Sequence, residues 1–187
     1  MGVAFRCDTA RGRGFARALK RDAAALLEET GLSVCELSLS IVSDETIREL
    51  NRDFRAKDVP TDVLSFSQIE ERGKAPPDPY ALPNRPGMPL GDVVISADTA
   101  LRQARELGVP PAERLRTLLI HGFLHLLGHD HERSPAEARR MFARERKLAA
   151  RLDVRTPPRT RPGGRRANAK APRGSTKAND ERRGRAR

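Results

Sequence analysis

The sequence predicts a single α+β domain with some α/β character, in which a small, mostly four-stranded sheet packs against about five helices. Two observations support this fold class. Four short segments are rich in apolar, β-branched or aromatic residues, as strands are. The longer segments that lie between and after these four have apolar residues at the period of a helix. The chain has 187 residues, which is enough for one ordinary domain with a hydrophobic core.

The strands are predicted from alternation and residue type. In the clearest one, from Cys35 to Ile41, apolar residues alternate with Glu and Ser, so one face is buried and the other is more polar. Val3–Cys7 predicts a short first strand. Val63–Phe66 and Asp92–Ile95 are short and rich in β-branched or aromatic residues, which favour strands.

The helices are predicted from apolar residues three or four apart and from the residues that begin and end helices. They run from Gly14 to about Thr30, from Ser43 or Asp44 through Asp53, from Ser96 or Asp98 to Gly108, from Pro110 and Pro111 into a histidine-rich stretch, and from Ser134 to about Leu152. Residues 68–90 contain six prolines and two glycines, which predicts a surface loop beside the site.

The formal charge of +11 is unevenly distributed. Residues 155–187 contain 12 Lys and Arg against 2 Asp and Glu, whereas residues 1–154 contain 24 against 23. We therefore predict a folded domain at residues 1–154 and a disordered basic tail at residues 155–187. The tail either adds solubility and non-specific attraction only or, as we favour, binds RNA phosphates in a salt-dependent way.

Cysteine use and hydropathy both favour a cytoplasmic protein. Cys7 and Cys35 lie in apolar or alternating stretches and are predicted to be core thiols, not a disulfide, which suits a reducing compartment. The sequence shows no obvious signal peptide and no apolar run long enough to cross a bilayer, so no membrane association is expected.

All four histidines lie in the stretch His121-Gly-Phe-Leu-His125-Leu-Leu-Gly-His-Asp-His131, and three of them stand at its first, fifth and eleventh positions. Residues four apart share a helix face, so the first two imidazoles can point to a common position. Gly128 can adopt the left-handed conformation that ends a helix, and the reversal can bring His131 in as a third ligand. Three protein ligands with an open fourth position are typical of catalytic zinc.

The histidine spacing is similar to the long zinc-binding motif of metzincin proteases, with one difference. In those enzymes the residue after the first histidine is a glutamate that acts as general base. Gly122 stands there in this chain. The spacing therefore predicts the metal site but weakens the interpretation as a protease.

A second polar block covers residues 51–66. Its Arg55 and Lys57 can bind phosphate, Arg55 by a bidentate fork and Lys57 as a point charge. Thr61 and Asp62 can cap, turn or hydrogen-bond behind the ligands. From composition alone, a solvated loop with no functional role is about equally supported.

Three motifs in this order resemble the YbeY family of bacterial rRNA maturation factors. They are HGxLHLxGxDH at 121–131, N-x-x-[FY]-R-x-K-D-x-P-T-[DN]-V-L-S-F at 51–66, and the strand at 91–95. The resemblance covers roughly residues 3–152. It implies a zincin-like metal helix and a zinc-dependent, single-strand-specific endoribonuclease that acts in 16S rRNA 3′-end maturation and ribosome quality control.

The resemblance also assigns roles to residues. It makes His121, His125 and His131 the ligands of one Zn²⁺ per chain, and Arg55 the functional arginine. We expect Arg55 and His121 to carry catalysis, with Arg55 holding a non-bridging phosphate oxygen. His129 occupies a position often held by tyrosine in the family, and we expect an outer or surface role for it. The implied partners are single-stranded RNA, small-subunit rRNA and the ribosome, with ribosomal protein and assembly-factor contacts.

The general base and two other classes of function stay open. Metal-bound hydroxide is the simplest base, with Asp62 or Asp130 as alternatives; Asp130 is equally suited to orient a ligand histidine. The histidine spacing also allows a metal-dependent peptidase-like hydrolase, which Gly122 opposes. The third possibility is a non-catalytic ribosome-assembly factor with a structural zinc, whose basic tail binds rRNA.

Overall fold

The computed structural model describes residues 2–69 and 84–155, which contain four strands and six helices. The elements are β1 Val3–Cys7, α1 Ala10–Arg13, α2 Ala16–Glu29, β2 Glu36–Val42, α3 Asp44–Arg55, β3 Val63–Ser67, β4 Pro89–Ser96, α4 Ala97–Leu107, α5 Pro111–Leu126 and α6 Pro135–Arg155. The predicted α+β class is confirmed.

The four strands form one mixed sheet in the order β1-β2-β4-β3. β1, β2 and β4 are parallel, whereas β3 lies antiparallel to β4 at the edge, with Ser65 opposite Val93. Parallel neighbours need long connections, and here these contain helices α1 to α3. The edge position of β3 matters for the site, because α5 packs against β3 and β4.

The two faces of the sheet carry different helices. The main core lies on one face, where the alternate residues Leu37, Leu39 and Ile41 of β2 meet apolar side chains of α2, α5 and α6. The opposite face carries a smaller cluster in which Ile47 of α3 packs with Leu64 and other residues of the sheet. Helices α3 and α5 therefore lie on opposite faces of the sheet.

The helix starts follow the capping chemistry of the sequence. Ser43 accepts a hydrogen bond from the N–H of Thr46 at the start of α3, and Ser96 accepts one from Thr99 at the start of α4. Gly108 ends α4 with a left-handed φ of 66°. The predicted ends of these helices are thus confirmed to within about two residues.

The structure differs from the predictions at several boundaries. The short helix α1 precedes α2 and was not predicted, and α3 and α6 each extend to an arginine two or three residues beyond the predicted end. Strand β4 begins at Pro89, inside the predicted loop, because a strand tolerates proline at its first residue. The middle of that loop, residues 70–83, and the tail from residue 156 lie outside the described residues.

Both cysteines are free thiols, as predicted. Cys35 is buried in the main core and Cys7 is half-buried against it. Within the described part of the chain, no helix combines the length and apolarity needed to cross a membrane.

Candidate metal centre

Helix α5 and the turn after it present the histidines. Pro111 occupies the first helical position, where its missing N–H costs nothing. The helix ends at Leu126, and Gly128 follows with a φ of 84°. The N–H of Gly128 donates to the carbonyl of His125 at 3.0 Å, and the N–H of His129 donates to that of Leu124 at 3.0 Å. The predicted reversal at Gly128 is present.

The three motif histidines form one compact cluster. The ring centroids of His121 and His125 are 4.7 Å apart, and His131 lies 5.0 Å and 5.2 Å from them. One ring nitrogen from each lies within 4.8 Å of the others. The shortest approach is 3.1 Å, between Nε2 of His121 and Nε2 of His125. Three nitrogens this close, on half-buried rings, can hold one metal ion.

The protonation chemistry of the cluster fits a metal as well. Burial lowers the pKa of His125, and repulsion from His121 and His131 lowers it further. The ring is thereby kept neutral, which is the form that binds metals. Nδ1 of His131 is buried, and no residue in the described ranges hydrogen-bonds to it. A buried nitrogen without a partner is costly in a metal-free protein, whereas a metal ligand has its partner in the ion.

A carboxylate on α6 supports the cluster from behind. Oε1 of Glu145 lies 2.6 Å from Nδ1 of His121, which leaves Nε2 of that ring for the cluster. Carboxylates commonly hold metal-binding histidines in this way, fixing the ring orientation and the tautomer. Sequence reasoning missed Glu145. The signal was its helical position, four residues after the buried Met141 and three before the buried Leu148, which places an acidic residue on a buried face.

Gly122, the position that carries glutamate in metzincins, faces the sheet. A Cβ added there would lie 2.8 Å from Cγ1 of Val93, 3.0 Å from Oγ of Ser65 and 3.1 Å from Cγ2 of Val63. The glycine thus lets α5 pack closely against β3 and β4. Its place beside His121 in the sequence does not direct a side chain into the cluster.

Two serines of β3 hold α5 against the sheet. Ser65 donates to the carbonyl of Gly122 at 3.0 Å, and Ser67 donates to the carbonyl of Leu126 at 2.9 Å. The two serines, two residues apart, point to the same face of the strand, and the two carbonyl groups, four residues apart, lie on the same side of the helix. Each serine therefore faces its own carbonyl. Leu126 is the last helical residue, whose carbonyl has no partner within an α-helix. Ser67 therefore supplies a hydrogen-bond donor to the last carbonyl of α5, at the point where the chain reversal begins.

Arg55 is not joined to the histidines. It is the last residue of α3, is exposed, and lies on the helix that covers the other face of the sheet. Within residues 2–69 and 84–155, no hydrogen bond or ion pair connects Arg55 with a histidine of the cluster. The adjoining loop is partly structural, since Asn51 is buried and donates to the carbonyl of Val59 at 2.8 Å. Lys57 is exposed there.

The predicted alternatives for the base have other partners. Asp62 accepts at one oxygen from Gln103 at 3.1 Å and from Arg114 at 3.2 Å, and its other oxygen accepts from the N–H of Val63 at 2.9 Å. It therefore ties the start of β3 to α4 and α5. Asp130 accepts from the N–H of Glu132 at 2.9 Å and stabilises the turn.

His129 is half-buried and lies next to α6. Its Nε2 is 2.6 Å from a guanidinium nitrogen of Arg144. Among the described residues, the group that could hold a metal ion consists of His121, His125 and His131, without His129. It therefore lies outside the cluster of the other three histidines.

Fold and cluster together define a class: a small mixed sheet with a packed helix whose three histidines can hold a metal. A family model described as endoribonuclease YbeY matches residues 11–153. The chain belongs to the YbeY family, so the resemblance predicted from its motifs is confirmed.

Relatives with the same name support the membership. The endoribonuclease YbeY of Myxococcus xanthus is 51% identical over 138 residues, which are 74% of this chain but only 44% of that protein. The Anaeromyxobacter sp. protein of the same name is 46% identical over 149 residues, 80% of this chain and 71% of the relative. The solution structure of a Thermotoga maritima protein aligns with a TM-score of 0.57 at 25% identity, covering 82% of this chain and 90% of that one.

Proposed function

We propose that this protein is a cytoplasmic, zinc-dependent and single-strand-specific endoribonuclease that acts in 16S rRNA 3′-end maturation and ribosome quality control. The observation that carries the proposal is the cluster of His121, His125 and His131, with three nitrogens within 4.8 Å and a carboxylate behind the first ring. Family membership supplies the substrate class, since the relatives are named endoribonucleases.

The three histidines would hold one Zn²⁺, because nitrogen ligands suit zinc and three of them leave a position for water or substrate. When bound, zinc polarises a phosphoryl oxygen and lowers the pKa of a bound water toward neutrality. Because neutral imidazoles carry no charge, the site would keep the full +2 charge of the zinc ion, which favours binding of a phosphodiester anion. Glu145 holds His121 in the ligating orientation during this chemistry.

Phosphate binding is the role that we assign to Arg55. Its guanidinium is exposed and has no carboxylate within 4.0 Å among the described residues, so it is available for a non-bridging oxygen. The RNA strand would have to pass the β3 edge to contact both faces of the sheet. An unpaired strand bends more easily than a duplex, which accounts for the single-strand preference.

The proposal is tested by cleavage of a labelled single-stranded RNA by wild type, His121→Ala and Arg55→Ala. The histidine variant should lose zinc by elemental analysis and lose cleavage, because one of three ligands is gone. The arginine variant should keep zinc and lose most cleavage. Circular dichroism checks that each variant is folded.

The outcome also separates the other classes of function. Equal cleavage by wild type and folded His121→Ala would contradict the proposal. If wild type binds rRNA but cleaves nothing, the protein is an assembly factor, not an enzyme. Cleavage of casein in parallel, lost in His121→Ala, would identify a peptidase.

A further inference from the structure

Helix α6 carries an exposed aromatic residue directly beside the histidine cluster. Phe142 is 41% exposed, and the centroid of its ring lies 5.9 Å from that of His131. Its neighbour Met141 is fully buried, so the helix is anchored while Phe142 stays at the surface. Single exposed apolar residues are common on protein surfaces, so the position of Phe142 beside His131 and the charges around it carry the argument, not its exposure.

Two arginines flank Phe142 on the same face of α6. Arg139 precedes it by three residues and Arg146 follows it by four, the spacings at which side chains on a helix are neighbours. Both are exposed. Over the described ranges of the chain, no carboxylate lies within 4.0 Å of either guanidinium. Neither guanidinium is therefore held in an ion pair with a described residue.

The acidic residues of α6 do not cancel this charge. The helix has seven basic and three acidic residues. Glu145 is hydrogen-bonded to His121, and Asp153 is paired with Arg116 at the far end. The third, Glu137, lies in the first turn. The face around Phe142 thus combines an apolar ring with net positive charge.

We infer that this face of α6 binds the RNA strand, with one unpaired nucleobase stacked on Phe142 and the neighbouring phosphates held by Arg139 and Arg146. The inference rests on the proposed function and adds a substrate-binding surface to it. A base-stacking aromatic between cationic side chains is the combination that single-stranded nucleic acids require. Because Phe142 contacts His131, the stacked nucleotide would lie next to the one that is cleaved.

The other exposed aromatic among the described residues does not fit this role equally well. Phe54 is 66% exposed, but its ring packs edge-on against Phe66, 5.0 Å away, on the face of the sheet opposite α5. It has no contact with the cluster in the part of the chain that the structure describes. Of the two exposed aromatic residues in the described ranges, only Phe142 has its ring beside a histidine of the cluster.

The test is binding of fluorescent single-stranded RNA to the full chain in a His125→Ala background, so that cleavage does not consume the probe. A series of probes carries one abasic nucleotide at successive positions. One position should weaken binding by about 5- to 150-fold, the range for loss of one stacked base. Phe142→Ala should weaken the intact probe equally and become insensitive to that abasic position, whereas Phe142→Trp should retain both.

The arginines are tested by salt dependence. Arg139→Ala/Arg146→Ala should make the slope of log affinity against log salt shallower by about 1.4, since each phosphate bound on a single strand contributes about 0.7. The matched control is Arg17→Ala/Lys20→Ala, which removes two exposed cations from α2. It should leave the slope unchanged.

Two results would overturn the inference: an abasic profile that is the same in Phe142→Ala as in the parent, or equal slopes for the two double variants. Cleavage by the chain with His125 intact is measured separately. Absence of cleavage would contradict the proposed function, whereas normal cleavage with an unchanged abasic profile would contradict only the role of Phe142.

Discussion

At the scale of single residues, the hydrogen bond between Glu145 and His121 makes α6 part of the candidate metal centre. The carboxylate holds one ring nitrogen, and the other is thereby directed toward His125. Ligand orientation set by an outer carboxylate normally contributes a substantial share of metal affinity.

We predict that Glu145→Ala weakens zinc binding by about 10- to 100-fold, because His121 is no longer held in one orientation. Glu145→Gln should lose less, since its amide oxygen can still accept the Nδ1–H. Competition with a zinc chelator measures the affinity. Glu137→Gln, on the same helix, is the control and should bind as wild type does. Wild-type affinity in Glu145→Ala would refute the assignment.

We expect His125 to make the stability of the metal-free protein sensitive to acid. Its folded-state pKa lies below the ordinary value of 6.5, owing first to burial and then to His121 and His131. As the pH falls through 6.5, the unfolded chain takes up this proton before the folded protein does, so stability is lost with acidification. Above pH 6.5 the ring is neutral in both the folded and the unfolded chain, so His125 no longer makes the stability depend on pH.

Urea unfolding of the metal-free protein at about pH 7.5 and about pH 5.5 should therefore show a lower midpoint at the acidic pH. His125→Gln should reduce this difference, because the variant has no proton to bind at that position. An identical pH dependence in both proteins would show that His125 does not contribute.

At the scale of elements, the site depends on how closely α5 approaches the sheet. Gly122→Ala should cost about 1 to 3 kcal/mol, since its Cβ would meet Val93, Ser65 and Val63 within 3.1 Å. Gly14→Ala is the control: its φ is −63°, and no atom lies within 4 Å of an added Cβ. The control should change stability by no more than about 1 kcal/mol, as measured by urea unfolding. Equal stability of the two variants would argue against close packing at α5.

The elements also show what could be predicted from the sequence. Strand alternation, the serine caps and the glycine at 128 are local signals, and they placed the sheet, most of the helix ends and the histidine reversal correctly. The contact of Glu145 with His121 and the placement of α3 and α5 on opposite faces of the sheet depend on contacts between elements far apart in sequence. Local periodicity gives the buried face of a helix but not its neighbour, so these features required the structure.

At the scale of the whole molecule, charge is divided between a nearly neutral domain and a basic tail. We predict that deleting residues 156–187 weakens RNA binding and makes its salt dependence shallower, without relaxing any sequence preference. The slope should fall by about 0.7 for each phosphate that the shortened chain no longer binds. Titration of single-stranded RNA at several salt concentrations measures both quantities. An unchanged slope would reduce the tail to a solubility segment.

In evolutionary terms, a codon for glycine can become one for glutamate by a single base change, which would bring the sequence close to a peptidase of the HExxH type. The packing of α5 against the sheet opposes this change. A glutamate at position 122 would begin against Val93 and Ser65 rather than beside the histidines. The strand would have to move before a glutamate could reach the histidines, so such a mutation would lower the stability of the fold before it could add any activity.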